Sequence, residues 1–429
     1  MRRSGRVAVV DIGSNTVRLV VYDGPTRLPI PIFNEKATCG LVRGLDVTGR
    51  LNPDGVIEAL RSLRRYQLLS ESMGVGEIAL IATAAVREAN DGAEFVARIE
   101  EMVGEPVRVL SGDEEARLSA LGLLSGWPQA DGLLADVGGG SVDLIELKNG
   151  EFANSGTLLL GHLRLRGLSG ETPKKAVAIV QEKLADLDWL SKIKGRNLFL
   201  SGGSCRALAH VFFGQLDYPL HAIDGFKVRR GDARRLCEFL LSGGPGSQCT
   251  ITGISNSRSA TLPYAAAVVG GLLEACKAKK AVFSGFGMRE GQMLNMLPKA
   301  VRKQDPLLAG CAGMAERTGR FAIDGGQLFD WIRPLFPTRR DAESRLRMRP
   351  ACSATSAGAN IRITGPNIHF CAFCACPSLV FLTTGGRFSL TPCLPAMTVI
   401  RKVISSGPFA PSCRRKKRKP PGPLAWPWI

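Results

Sequence analysis

Two short stretches of this chain place acids and glycines where apolar strands break off. In "VAVVDIGSNTVRLVVYD", residues 7–23, an apolar run meets Asp11, passes Gly13, Ser14, Asn15 and Thr16, and resumes. In "LLADVGGGSVDLIEL", residues 133–147, the same grammar surrounds Asp136, Gly138, Gly139, Gly140 and Ser141. Val, Ile, Leu and Tyr favour pleated structure and Gly with Asn supplies tight turns, so each stretch is predicted to be strand, turn, strand. Turns this rich in Gly, Ser and Thr present backbone N–H groups and hydroxyls, which suits an anionic ligand. The stretches align without a gap, Asp11 on Asp136, Gly13 on Gly138, Thr16 on Ser141, Val17 on Val142 and Leu19 on Leu144, each pair 125 residues apart. Related hairpins about one domain length apart indicate a duplicated α/β unit with a cleft between the halves. Paired carboxylates near phosphate are the usual way to hold Mg²⁺, directly or through water. Asp143, on the outgoing strand of the second hairpin, could add a third carboxylate. Two ordinary hairpin turns with capping Asp residues are the bland alternative, but they do not explain why both turns follow buried strands and both begin with Asp.

Other residue types extend the chemistry. "SGDEEAR" opens a helix, with Ser111 or Asp113 as N-cap and acids in the first turn facing the helix dipole. Capping accounts for one of Glu114 and Glu115. The other, if close to a bound polyphosphate, would have a raised pKa suited to a general base for water. "ATAAVREA" places Arg87 just after a strand, where a guanidinium can grip phosphate oxygens bidentately. Arg206 and Arg289 follow Gly turns of their own and share that choice between phosphate ligand and surface arginine. Histidines number four, none in an H-E-x-x-H motif or a His-Asp pair, which argues against a His-based metal hydrolase.

These residues need elements to position them. Residues 1–125 alternate strand and helix: "GVIEALRSLRRYQLLSESM" is helical, "EIALIATAAV" a buried strand, "GAEFVARIEEMVG" an amphipathic helix, and "VRVLSGDEEARLSALGLLSG" a short strand then a helix. Residues 126–297 repeat the alternation, with "AVAIVQEKLADLDWL" helical and "NLFLSGGSCRALAHV" and "KKAVFSGFGMREGQMLNML" each strand, Gly turn, helix. Alternation of this kind indicates an α/β fold. Residues 298–349 look helical, and 350–429 form an irregular, Cys-rich basic tail.

The formal charge of +18 over 429 residues does not describe the body of the protein. Glu343 is the last acid, and residues 344–429 carry 13 Lys or Arg, leaving a net of only +5 before them. The body therefore lacks the footprint of a nucleic-acid binder. The basic run "RRKKRK", residues 414–419, is a solvated stretch that would attract any polyanion. An abrupt loss of acids with Cys and Pro enrichment also fits a shifted reading frame, which resequencing the coding DNA would test. Body cysteines are scattered, as expected for reduced thiols in the cytoplasm. No run reaches the roughly 18 apolar residues of a membrane span, and Asp11 interrupts the N-terminal apolar run too early for a secretory signal. In the tail, His369, Cys371, Cys374 and Cys376 have a conceivable zinc spacing.

"DIGSNTVRLVVYD", "ATAAVREA", "LSGDEEARLSALGLLSG", "ADVGGGSVDLIEL", "SGGSCRALA" and "GMREGQML" occur in that order. Together they resemble the bacterial exopolyphosphatase / guanosine pentaphosphate phosphohydrolase family, over residues 5–345. That family lies within the actin-like, ribonuclease H-like superfamily of sugar kinases and heat-shock ATPases. The resemblance implies duplicated actin-like domains around a central cleft, then a truncated helical region resembling HD-type phosphohydrolases. It implies release of terminal orthophosphate from inorganic polyphosphate, and conversion of guanosine pentaphosphate to the tetraphosphate, with Mg²⁺. Carried over, Glu115 becomes the base that activates water and Arg87 a substrate-phosphate ligand. Asp136 and Asp143 become Mg²⁺-associated acids, the latter where many relatives carry Glu, beside the Asp11 that the paired hairpins already offer. Ser14, Asn15, Thr16 and Gly138 to Ser141 become the two phosphate-binding turns.

The departures are specific. Long family members continue into further helical domains used for polyphosphate grip and dimer contact, and the likeness here stops near residue 350, so processivity and a homodimer are not implied with the same force. Asp224 stands where relatives tend to carry His. Two other functions compete: a non-catalytic polyphosphate- or nucleotide-binding paralogue, and an actin-like ATP-dependent kinase or ATPase with an adenosine pocket near "LSGGSCRAL".

Overall fold

The computed structural model describes residues 5–215, 222–242 and 259–318, with side chains to residue 313, and the backbones of two short hairpins, Ile363–Gly365 with Ile368–Phe370 and Leu382–Thr384 with Arg387–Ser389. The zinc-spaced cysteines Cys371, Cys374 and Cys376 and the basic run at 414–419 lie outside the described residues.

Strands β1 (Val7–Ile12), β2 (Thr16–Tyr22), β3 (Pro31–Thr38), β4 (Glu77–Ala82) and β5 (Val107–Val109) form one sheet in the order β3-β2-β1-β4-β5. Strands β6 (Gly132–Val137), β7 (Val142–Lys148), β8 (Glu151–Leu158), β9 (Asn197–Ser201), β10 (Phe226–Arg229) and β11 (Lys280–Phe283) form the second. Followed from β8, the second sheet runs β8-β7-β6-β9-β11, with β10 added at the far edge. Both sheets thus trace one path: three antiparallel strands, then two parallel ones. The duplication expected from the two hairpins is present at the level of whole sheets.

Parallel neighbours need crossover connections, and helices supply them. In the first half these are α1 (Leu45–Thr48), α2 (Pro53–Ser72), α3 (Ala84–Glu88) and α4 (Gly92–Val103). Next comes α5 (Gly112–Gly126), between the two sheets in sequence. The second half carries α6 (His162–Leu168), α7 (Pro173–Ala185), α8 (Gly203–Gln215), α9 (Arg230–Ser242), α10 (Leu262–Ala275) and α11 (Met288–Met296). Proline opens α2, α7 and α10, where its missing N–H costs nothing. Two further helices, α12 (Lys299–Arg302) and α13 (Pro306–Thr318), follow; the remainder of the helical stretch expected to residue 349 lies outside the described residues.

Both faces of each central strand are covered, which is why β1 and β6 read as continuous apolar runs. Ala8, Val10, Ile12 and Leu19 pack on Leu63, Tyr66, Phe95 and Ile99 of α2 and α4. On the other face, Val7, Val9, Val20 and Tyr22 meet Leu118 of α5 and Met293 of α11. The second sheet presents Leu134, Ile145, Leu147 and Phe199 to Ala116, Ala120 and Leu123 of the same α5. Helix α5 therefore packs on both sheets and joins the halves.

Two element boundaries differ from the sequence expectation. The strand predicted through "EIALIATAAV" ends at Ala82. Thr83 N–H bonds Ile12 O and the alanines, strong helix formers, wind into α3, which carries Arg87 back toward the cleft. The helix predicted over "AVAIVQEKLADLDWL" stops at Ala185, and Asp188–Ile193 forms a separate 3₁₀ turn.

Helices α5 and α11 cross backbone to backbone. A Cβ on Gly291 would sit 1.7 Å from Leu118 O, and one on Gly122 2.0 Å from Gly287 O. Gly291→Ala must push the helices apart, and is expected to lower the unfolding free energy by about 1–3 kcal/mol or more. Urea unfolding of the variant beside the parent chain measures it.

Candidate active site

Each hairpin turn is closed by the same bond: Gly13 N–H to Thr16 O at 3.0 Å, and Gly138 N–H to Ser141 O at 3.0 Å. The carbonyls inside the turns accept bonds from the segment that follows, Ser14 O from Val42, Asn15 O from Cys39 and Gly40, Gly139 O from Leu163, and Gly140 O from Gly161. The N–H groups of Ser14, Asn15, Gly139 and Gly140 donate in none of these turn bonds, and successive turn N–H groups are the kind of donor that holds an anion. The turns also abut: a Cβ on Gly140 would lie 2.9 Å from Ser14 Oγ, and one on Gly139 3.7 Å from Asn15 Cβ. His162 supports the second turn, its Nδ1 lying 2.8 Å from Gly138 O and 2.9 Å from Ser204 Oγ.

The carboxylates stand just before these turns. In the register, Asp11 is directly opposite Arg18, and Asp136 is directly opposite Asp143. Asp143 is buried at 3 % exposure and accepts a bond from Thr157 Oγ1 at 2.7 Å. Asp136 accepts from the buried Ser119 hydroxyl, and Asp11 Oδ2 lies 3.4 Å from Arg289 Nη1. Beside Asp136, Gly202 has φ +97°, and a Cβ there would lie 2.7 Å from Asp136 Oδ1, so both conformation and room require glycine.

The structure separates the two adjacent glutamates. Glu114 completes a capping box with Ser111, and Arg108 with the Ser111 N–H holds its carboxyl down at about 2. Glu115, about 100° further round the helix, turns inward. Its Oε2 is 3.4 Å from Arg87 Nη1, and that same nitrogen donates to Leu110 O at 2.6 Å. Burial, and then the neighbouring charges of Asp143 and Asp136, push Glu115 well above the usual carboxylate range.

The other acids share this state. Burial raises Asp11 and Asp136, with Arg289 working against it at both. Burial and Asp136 carry Asp143 up to about 7. Asp11, Asp136, Asp143, Glu115 and Arg87 thus come together in one electrostatically linked cluster at the turns, on residues from both sheets, α3 and α5. Among the described residues, no three His, Cys, Asp or Glu side chains converge as a ready-made metal cage. A hard divalent cation needs less than that: one or two carboxylates, waters and substrate oxygens suffice for Mg²⁺. Buried oxygen donors that repel one another and resist ionising are a fitting donor set for it.

Several site residues were not singled out in the sequence. Ser119 is one helical turn past Glu115, and Arg18 follows Asp11 at the same seven-residue spacing by which Asp143 follows Asp136, so both had a spacing signal. Thr157, from β8, had none. Asp224 lies outside the cluster: it accepts from Gly285 N–H at 3.0 Å and burial raises it to about 6, bracing the turn after β11. A clamp joins the halves nearby, where buried Arg164 of α6 binds Asp46 of α1 and Glu88 of α3.

Residues 20–300 match the Ppx/GppA phosphatase family. Retrograde regulation protein 2 of Saccharomyces cerevisiae is 30% identical over 338 residues, 70% of this chain, and the chain spans 57% of that protein's length. Exopolyphosphatase 1 of Mycobacterium leprae is 27% identical over 311 residues, 68% of this chain and 89% of that protein. An exopolyphosphatase from Cytophaga hutchinsonii superposes with a TM-score of 0.61 at 23% identity, covering 68% of this chain and 97% of that one. A Ppx/GppA family member from Aquifex aeolicus gives 0.57 at 24%, covering 67% and 96%. The two-sheet arrangement is the fold of those structures, as the motifs implied.

Asp143 provides a pH test of the buried charge. Its carboxyl moves from an ordinary 3.8 up to about 7 on folding, so the folded chain holds more protons than the unfolded one between those values. Stability of the chelator-treated protein should therefore fall as pH rises from 4 to 7. Asp143→Asn should flatten that fall; urea midpoints across the range report it, and an unchanged slope would place the titration elsewhere.

Proposed function

The chain belongs to the Ppx/GppA phosphatase family, and from that premise and the cleft geometry we propose that it hydrolyses the terminal phosphoanhydride of inorganic polyphosphate, releasing orthophosphate. The observation that carries this reading is Glu115: a half-buried carboxylate beside the Arg87 guanidinium, gathered with three further acids at two donor-rich turns.

The roles follow from chemistry. The N–H groups of Ser14, Asn15, Gly139 and Gly140, with the Thr16 and Ser141 hydroxyls, bind phosphate oxygens and orient the chain end. Arg87 grips the terminal phosphate while keeping Glu115 in place. Glu115 accepts the proton of a water aligned with the anhydride bond, and its raised proton affinity suits a base working near neutral pH. Asp11 and Asp136, with Asp143 behind them, would hold Mg²⁺. When bound, the ion supplies positive charge that neutralises both these acids and the phosphate oxygens. Donors fixed in place before reaction stabilise the charge that grows on the departing oxygen.

Guanosine pentaphosphate ends in the same anhydride, so nothing in this chemistry rejects it, and it is proposed as a second substrate. Among the described residues the five cysteines are buried and in no disulfide, which suits a cytoplasmic setting; no helix there is long and apolar enough to cross a membrane.

Phosphate release from long polyphosphate and from guanosine pentaphosphate, without ATP, is the direct assay. Glu115→Gln should lower turnover by about 10²–10⁴-fold while polyphosphate binding stays within about twofold of the parent, since the amide preserves shape and removes the base. A variant at near-parent rate would remove Glu115 from that role. Chelation should abolish release, and added Mg²⁺ should restore it; release that survives chelation would sink the metal assignment.

A further inference from the structure

A single arginine connects both hairpin turns with the helix that carries Arg87. Arg164, the third residue of α6, is 9 % exposed and draws its hydrogen-bond partners from both halves. Its own N–H donates to Gly139 O of the second turn at 3.3 Å, beside the bond from Leu163 N–H to the same carbonyl. Its Nε donates to Asp46 Oδ1 at 2.7 Å. Asp46 lies in α1, which follows the segment whose Cys39, Gly40 and Val42 N–H groups hold the first turn. Its Nη2 donates to Glu88 Oε2 at 2.8 Å, and Glu88 is the residue after Arg87 on α3.

Glu88 is anchored through one oxygen only. Its Oε1 is buried, has no hydrogen-bond partner and lies 4.0 Å from Arg87 Nη2. A buried carboxylate oxygen without a donor is costly, and the guanidinium beside it is drawn its way. The other terminal nitrogen of Arg87 is held as well: Nη1 donates to Leu110 O at 2.6 Å and reaches Glu115 Oε2 at 3.4 Å. Attraction at both nitrogens sets the plane of the guanidinium, and a planar fork takes two phosphate oxygens only when that plane is aimed at them. Glu88 can steer only while its other oxygen is fixed. The fixing group is Arg164, 76 residues away and on the other half.

We propose that Glu88 and Arg164 are positioning residues that aim Arg87: Arg164 anchors Glu88 from the second half, and Glu88 orients the Arg87 guanidinium toward the phosphate. This rests on the hydrolytic reading above. Neither residue acts on the substrate directly; both work through Arg87. Because α6 takes its bearing from the backbone of the second turn, Arg87, on the first half, is set relative to phosphate donors on the second. Removing either member of the pair leaves Arg87 in the chain but lets its guanidinium turn, and its bonds to phosphate weaken.

The test is calorimetric binding of methylenediphosphonate, whose bridging carbon resists hydrolysis, to the full chain with Mg²⁺. Glu88→Gln, and separately Arg164→Gln, should weaken binding about tenfold when Arg87 is present. In a chain already carrying Arg87→Gln, the same changes should cost less than about twofold. Charge alone would move Glu88→Gln the other way, because removing an acid beside an anion site favours the anion. A merely structural role would cost the same with or without Arg87, so equal losses in the two backgrounds, or no loss in the first, would overturn the proposal. Urea midpoints report the folding of each variant, and if Arg164→Gln does not fold, Glu88→Gln decides alone. Phosphate release from polyphosphate is followed beside binding. A parent chain that shows the Arg87-dependent loss yet releases no phosphate would sink the hydrolytic reading and keep the positioning pair; brisk release with equal losses in both backgrounds would do the reverse.

Discussion

Four carboxylates, Asp11, Asp136, Asp143 and Glu115, are held in a space that excludes most water, and the other features of the cleft answer that constraint. Isolated buried charges are costly enough that such groups either find cations or take up protons. Both outcomes are visible: Arg87 and Arg289 flank the cluster, and the acids hold protons more tightly than they would in water. The Ser119 and Thr157 hydroxyls satisfy individual oxygens without neutralising them. The site is stable enough to form and unsatisfied enough to bind, the combination that the proposed binding of phosphate with a divalent ion requires.

Duplication explains how the cluster is assembled and why it is lopsided. The two sheets trace one path and the two hairpins close with the same bond, so each half delivers one acid beside one donor-rich turn. The strand partner then breaks the symmetry: Arg18 faces Asp11, whereas Asp143 faces Asp136. One half is thereby drawn toward positive charge and the other toward negative charge, giving the cleft a direction that a symmetric pair of hairpins would lack.

Helix α5 ties chemistry to packing. Leu118 belongs to the core of the first sheet, and Ala116, Ala120 and Leu123 to that of the second. Glu115 and Ser119 project from the remaining face into the cleft, so a shift of the helix moves the proposed base and the Asp136 contact together. Its glycine-to-backbone crossing with α11 fixes that position. The Arg164 clamp to Asp46 and Glu88 holds the halves together beside the residue that follows Arg87.

Local pattern settled a good deal. Apolar runs interrupted by Asp-x-Gly specified the two hairpins, their gap-free alignment revealed the duplication, and strand–helix alternation set the fold class. Those signals are short-range: side-chain period, turn residues and caps act within a few positions. Arg87 and Glu115 were also readable as candidates from their types and neighbours. Which of Glu114 and Glu115 faces the cleft was not, because either can cap a helix and only the packing of α5 between two sheets decides its rotation. The strand predicted through Val86 turned at Thr83 because Ile12 O, 71 residues away, accepts the Thr83 bond. Arg289 reaches Asp11 across 278 residues, and Thr157 meets Asp143 through a strand whose own sequence carried no sign of it. The chain's own pattern determined the elements and their order. The partners of each buried charge were decided in three dimensions, because the energy of a charge depends on everything within a few ångströms and not on its neighbours in sequence.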